Sequence, residues 1–129
     1  MASVLIDTSV WVDHFRRRNA ALVELIEWDL GLTHPMVVAE LACGTPPAPR
    51  ARTLGDIGLL RPVQQISIEE VMAFIEREAL YGLGCGLVDL MLLGSVLMTP
   101  GARLWSLDRR LMEIAARFDV EYRPRADAN

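Results

Sequence analysis

Four of the seventeen acidic residues stand apart from their surroundings. Asp7 closes the apolar run Val4-Leu5-Ile6, and Glu40 is the one charge in MVVAELACG. Asp89 is the one charge between Gly86 and Met98, and Asp108 directly follows the segment LWSL. A helix apolar on every side is a buried one, and a carboxylate inside it is expensive unless paired or bound to a metal. No arginine lies one helical turn from Glu40 or Asp89 to neutralise either locally. Asp7 and Asp108 also have a plainer reading, since each stands where a helix cap would. Glu40 and Asp89 do not, because acids inside a helix cap nothing; an exposed Asp89 gains under about 1 kcal/mol from the dipole of its helix. Carboxylates gathered at one place repel unless a cation sits among them, and their oxygens are hard ligands suited to Mg²⁺ or Mn²⁺. Such a centre serves phosphoryl transfer, in which the metal activates water and stabilises the leaving oxygen. That chemistry needs no nucleophilic side chain, and the sequence offers no convincing one.

The elements around these acids alternate. Ser3–Asp7 reads as a first strand, with Thr8 or Ser9 capping a helix to about Arg17. Asn19 caps a second helix, Gly31–His34 makes a short strand, and Pro35 opens the helix MVVAELACG. The proline-rich loop TPPAPR precedes a helix over Arg50–Leu60, and Val63–Ile66 reads as a third strand. Ser67, with Glu70 three residues on, is a capping-box start for SIEEVMAFIEREALYG. GLGCG is a loop, LVDLMLLGSVLM a helix, Ala102–Ser106 a fourth strand, Asp108–Phe118 a helix and Val120–Tyr122 a last strand. Strands alternating with helices imply a parallel sheet covered on both faces, whose ligands lie beyond the carboxyl ends of the strands. Asp7 and Asp108 end strands, so this fold brings them to one edge.

Composition narrows the classes. With 129 residues, 52% of them hydrophobic, the chain suits one α/β domain over residues 1–129, with a short tail from about residue 124. No apolar run is long enough to span a membrane, and the N-terminus lacks the pattern of a signal peptide, so a cytoplasmic location is expected. Cys43 and Cys85 have neither disulfide nor metal spacing and read as small buried thiols, while His14 and His34 are isolated. All thirteen basic residues are arginine, which excludes a P-loop lysine, Schiff-base chemistry and a lysine general base. The net charge of −4 does not by itself advertise nucleic-acid binding.

The strand followed by DTSVW, the lone glutamate in AELACG, GLVDLMLL and the strand-end LWSLDRRL together resemble PIN-domain nucleases. Length and motif order resemble the VapC-type toxins of bacterial toxin–antitoxin modules, from Val4 to about Tyr122. The resemblance implies a parallel five-stranded sheet flanked by helices, with Asp7, Glu40, Asp89 and Asp108 as a metal-binding acidic quartet. It also implies supporting hydroxyls at Ser9 and Ser106, Mg²⁺- or Mn²⁺-dependent endoribonuclease activity, a cognate antitoxin and a homodimer. Leu90 and Met91 depart from the family's usual smaller residues without touching a ligand.

For RNA contact the candidates are Arg109 and Arg110 beside Asp108, and the triplet Arg16, Arg17 and Arg18 after the first helix. The triplet equally suits a solvated helix C-terminus favoured by the dipole. Trp11, Trp28 and Trp105 read as core or interface rather than base-stacking platforms. Two other readings compete: a catalytically silent binding module with the same fold, and a receiver- or phosphatase-like phosphate-handling domain. The second expects another aspartate two residues after the first, and a lysine; this chain has Ser9 there and no lysine.

Overall fold

The computed structural model describes residues 2–125. Asp127 and most of the expected tail lie outside them. The elements run β1 (Ser3–Ile6), α1 (Thr8–Arg16), α2 (Ala20–Glu27), β2 (Gly31–Thr33), α3 (Pro35–Ala42) and α4 (Arg50–Gly58). They continue with β3 (Arg61–Pro62), α5 (Ile68–Glu78), α6 (Leu87–Met98), β4 (Ala102–Trp105) and α7 (Arg109–Arg117). The strands form one parallel sheet in the order β3-β2-β1-β4. Val4, Leu5 and Ile6 are wholly buried although successive side chains point to opposite faces, so both faces are covered.

The order matters for function. The chain steps outward from β1 to β2 and β3, then returns to the other side of β1 with β4. Reversal beside β1 opens a crevice beyond the strand ends, where open α/β sheets bind ligands. Ile6 pairs with Trp105 in register, so the residues that follow them, Asp7 and Ser106, leave the sheet side by side.

Three expectations need correction. The sheet of the described residues has four strands, not five. Val120–Tyr122 reaches the edge of β4 through a single bridge, Leu104 to Glu121. The Leu104 N–H donates to the Val120 carbonyl at 2.7 Å and the Tyr122 N–H to the Leu104 carbonyl at 2.8 Å. A parallel ladder would next need an N–H from residue 124, which is proline and has none. The third strand is Arg61–Pro62, where proline is tolerated at an edge, rather than Val63–Ile66. The latter segment keeps one sheet bond, from the Val63 N–H to the Thr33 carbonyl at 3.1 Å, and then turns to α6 and its C-cap. Gln64 donates to Thr99 Oγ1 at 2.9 Å and Ile66 to Ser95 Oγ at 3.0 Å. Gly94 permits this approach, because a Cβ there would lie 2.6 Å from Ile66 Cδ1. Finally, α1 begins at Thr8, so the position expected to cap it from Thr8 or Ser9 belongs to Asp7.

Other local signals appear as read. Asn19 accepts from the Leu22 N–H, Pro35 opens α3, and Ser67 with Glu70 forms a reciprocal capping box. The helix α6 buries seven consecutive residues, Leu90–Val96, as its unbroken apolar sequence demands. Trp11 and Trp105 are core residues, whereas Trp28 is exposed. The cysteines differ from expectation, since Cys43 is exposed and Cys85 only partly buried.

Candidate active site

Asp7 is 5% exposed and forms the centre of the site. Its backbone N–H still belongs to the sheet, donating to the Trp105 carbonyl at 2.9 Å. Its carboxylate receives two hydroxyls on one oxygen: Ser9 Oγ and Ser106 Oγ each donate to Oδ2 at 2.7 Å. Both hydroxyls are in turn fixed by backbone. The Leu107 N–H donates to Ser9 Oγ at 3.0 Å and the Asp108 N–H to Ser106 Oγ at 2.9 Å. Two hydroxyls whose protons are committed to Oδ2 therefore lock the carboxylate plane. Oδ1 accepts no hydrogen bond among the described residues.

The other three acids come from three further elements. Asp108 follows β4 and caps α7, its Oδ1 accepting from the Leu111 N–H at 3.1 Å. Asp89 sits in the first turn of α6 and is half-buried. Glu40 belongs to α3 and, contrary to the expectation of burial, is exposed; its Oε1 accepts from Thr8 Oγ1 at 2.6 Å. The four charges feel one another at Asp89. Burial foremost, then Asp7, Asp108 and Glu40, hold that carboxyl above the usual range, against the opposing pull of a backbone hydrogen bond from Gly86.

The donor chemistry suits a hard divalent cation. The Cys85 thiol beside the cluster is pushed up to about 11, first by burial and then by Asp89 and Asp108. Both histidines are committed elsewhere. His14 Nδ1 accepts from the Asn19 N–H, and His34 Nδ1 accepts from the Met36 N–H as the cap of α3. What remains is carboxylate and hydroxyl oxygen, the set that Mg²⁺ and Mn²⁺ prefer. Among the described residues no three Asp, Glu, His or Cys side chains stand in ligating range of one point. Glu40 Oε1 is engaged by Thr8 and Asp108 Oδ1 by the first turn of its own helix.

Residues 4–117 match the PIN-domain family. The chain belongs to that family. It is 41% identical over 117 residues to Ribonuclease VapC32 of Mycobacterium tuberculosis, in the strains CDC 1551 / Oshkosh and ATCC 25618 / H37Rv alike. The match covers 91% of this chain and 94% of the relative, and it bears out the VapC-type resemblance. The family match also goes against a receiver- or phosphatase-like domain.

Within the PIN domain, the fold brings Asp7, Ser9, Ser106 and Asp108 into one hydrogen-bonded group, with Asp89 and Glu40 facing it. The arginines separate. Arg16 lines a groove of about 540 Å³ with Glu40, Phe15 and Pro46. Arg17 and Arg18 are exposed beyond α1. Arg109 pairs outward with Glu113 at 3.4 Å, whereas Arg110 lies against Gly84 at the rim of the acid cluster. Sequence reasoning read Thr8 as a possible helix cap and did not link it to Glu40, whose Oε1 its hydroxyl holds. It also passed over Gly84, which only the approach of Arg110 reveals.

Proposed function

We propose that this protein is a Mg²⁺- or Mn²⁺-dependent endoribonuclease that serves as the toxin of a toxin–antitoxin pair. The observation that supports this reading is one Asp7 oxygen held by two hydroxyls at the switch point of a PIN-domain sheet, with Asp108 joined to the same hydrogen-bonded group and Asp89 within the influence of Asp7, Asp108 and Glu40. The relative is named a ribonuclease, which supports the choice of substrate.

Asp7, Asp89 and Asp108 would hold the cation, with Glu40 as the fourth acid. When bound, the metal supplies the activation of water and the countercharge for the leaving oxygen. Ser9 and Ser106 keep Oδ2 of Asp7 occupied, so that its other oxygen presents to the ion in one orientation. Burial first, and then the neighbouring acids, raise the Asp89 carboxyl above its usual range, and a bound cation would relieve that cost. Thr8 restrains Glu40 at the far side. The partner of such a toxin is an antitoxin protein. An apolar groove of about 320 Å³ between α1, α2 and α4, lined by Trp11, Phe15, Leu22, Ile26, Ile57 and Leu60, suits an apolar arm of that partner. A homodimer and a cytoplasmic location belong to the same reading. No helix among the described residues is long and apolar enough to cross a membrane.

Cleavage of single-stranded RNA in Mn²⁺ tests the proposal. Wild-type protein should cut, EDTA should stop it, and Asp7→Asn or Asp89→Asn protein with an unchanged circular dichroism spectrum should be inactive. Full activity in EDTA, or in either variant, sinks the reading. Calorimetric titration separates an enzyme from a silent module of the same fold, because the silent module has no need to bind Mn²⁺ at the cluster.

A further inference from the structure

Arg110 is placed at variance with the stability of its own helix. It is the second residue of α7, whose first turn contains no acid and two arginines. Cations at a helix N-terminus oppose the macrodipole. Arg109 is relieved by Glu113 one turn on, but Arg110 has no carboxylate within ion-pair distance among the described residues. Its side chain nonetheless packs on a neighbouring loop. It lies across Gly84, in the loop that leads into α6, so closely that a Cβ there would be 2.6 Å from Nη1 and 2.8 Å from Cδ. Gly84 has φ +86°, which favours glycine for the backbone as well. From this seat the guanidinium acts on the Cys85 thiol together with the carboxylates of Asp89 and Asp108. It is therefore an exposed cation, without an acidic partner, on the rim of an acidic centre.

An anionic polymer approaching four carboxylates needs a positive contact close to the reacting bond, and the net charge of −4 offers no general attraction. We propose that Arg110, seated on Gly84, binds a phosphate oxygen of the RNA backbone next to the metal cluster and positions the strand for cleavage. This rests on the ribonuclease reading of the site. The planar fork of arginine suits two oxygens of one phosphate. The bland alternative, a solvated surface arginine, needs neither the glycine seat nor a location at the unfavourable end of α7.

The test is binding of a short fluorescein-labelled single-stranded RNA, by anisotropy over a salt series, in an Asp89→Asn background. Arg110→Ala should weaken binding and reduce the slope of log K against log salt by about one. Arg110→Lys should restore the slope while recovering only part of the affinity, and Arg77→Ala, far along α5, should leave both as they are. In the cleavage-competent protein, Arg110→Ala should lose about tenfold or more in kcat/KM, chiefly through KM. Unchanged affinity and slope in Arg110→Ala overturn the proposal and leave the ribonuclease reading standing. A loss of affinity with an unchanged slope, not rescued by lysine, also overturns it, since that marks a purely structural role. Absence of cleavage by wild-type protein counts against the ribonuclease reading, while the binding series still decides the role of Arg110.

Discussion

Replacing Ser106 by alanine isolates the device that orients Asp7. Ser106 is 5% exposed, donates to Asp7 Oδ2 at 2.7 Å and accepts from the Asp108 N–H at 2.9 Å. The substitution removes a hydrogen bond to a buried carboxylate, worth about 2 kcal/mol, and leaves a partly buried N–H unpaired, worth about 1 kcal/mol more. The expected loss of about 3 kcal/mol lowers the melting temperature by roughly 10 °C in a domain of this size. Ser9→Ala should lose less, because the Leu107 N–H it abandons belongs to an exposed residue that water can reach. The double variant should lose more than the two singles together, since the first deletion leaves one hydroxyl on Oδ2 and the second leaves none. Mn²⁺ affinity should fall by about tenfold in Ser106→Ala, the usual cost of removing an outer-shell partner. Thermal melts and calorimetric titrations measure both. A stability loss under about 1 kcal/mol, or strict additivity of the two serines, refutes the idea that shared hydroxyls hold the Asp7 carboxylate.

The Asp89 carboxyl prefers its proton more in the folded chain than in the unfolded one, so stability declines as pH rises above the ordinary carboxyl value near 4 and the deficit persists at neutrality. Asp89→Asn should therefore stabilise the metal-free protein at neutral pH and give no gain below about pH 3. Urea melts in EDTA check this, and equal stability at neutral pH contradicts it. Added Mn²⁺ should favour the wild type. Gly94→Ala drives a Cβ to 2.6 Å from Ile66 Cδ1, an overpacking loss of about 1–3 kcal/mol that the gain in helix propensity only partly offsets; denaturant melts measure it, and a stabilised variant would refute it. Ser95→Ala leaves the Ile66 N–H without its acceptor, so that amide should exchange faster with solvent water, and an unchanged exchange rate would show that the bond does not hold the segment.

Much of this arrangement is legible in the sequence because it rests on local rules. An unbroken apolar helix must be buried, a Ser-x-x-Glu pair must cap, and strand ends in a parallel sheet must share an edge. The last of these rules brings Asp7 and Asp108 to one edge before any coordinates are known, and Asp89 joins them through the family resemblance. What they miss is decided by contacts distant in sequence. Val63–Ile66 has the residues of a strand, but beyond Val63 the N–H groups of Gln64 and Ile66 go to Thr99 and Ser95, and Gly94 is what lets the segment come that close. The final strand stops at one bridge because Pro124 cannot donate, a signal present in the sequence but meaningful only once the pairing register is known. Glu40 shows a different limit. Its apolar neighbours in sequence suggest burial, yet α3 buries only Val37 and Leu41, and the glutamate falls on the open side.

The two strand-end aspartates make the functional argument by contrast. Asp7 directly follows β1 and Asp108 lies three residues beyond β4, and each occupies the N-cap position of the following helix. Asp108 caps α7 with its side chain. Asp7 makes no cap bond at all, although such a bond would contribute about 1 kcal/mol. Its carboxylate is instead turned towards Ser9 and Ser106, which hold it in the crevice opposite Asp89. A residue selected only for stability would cap α1 and stay clear of other carboxylates. Forgoing the cap while recruiting two hydroxyls to keep a buried charge in place is the behaviour of a ligand, and it gives Asp7 a reason to be an acid that Asp108, taken alone, does not need.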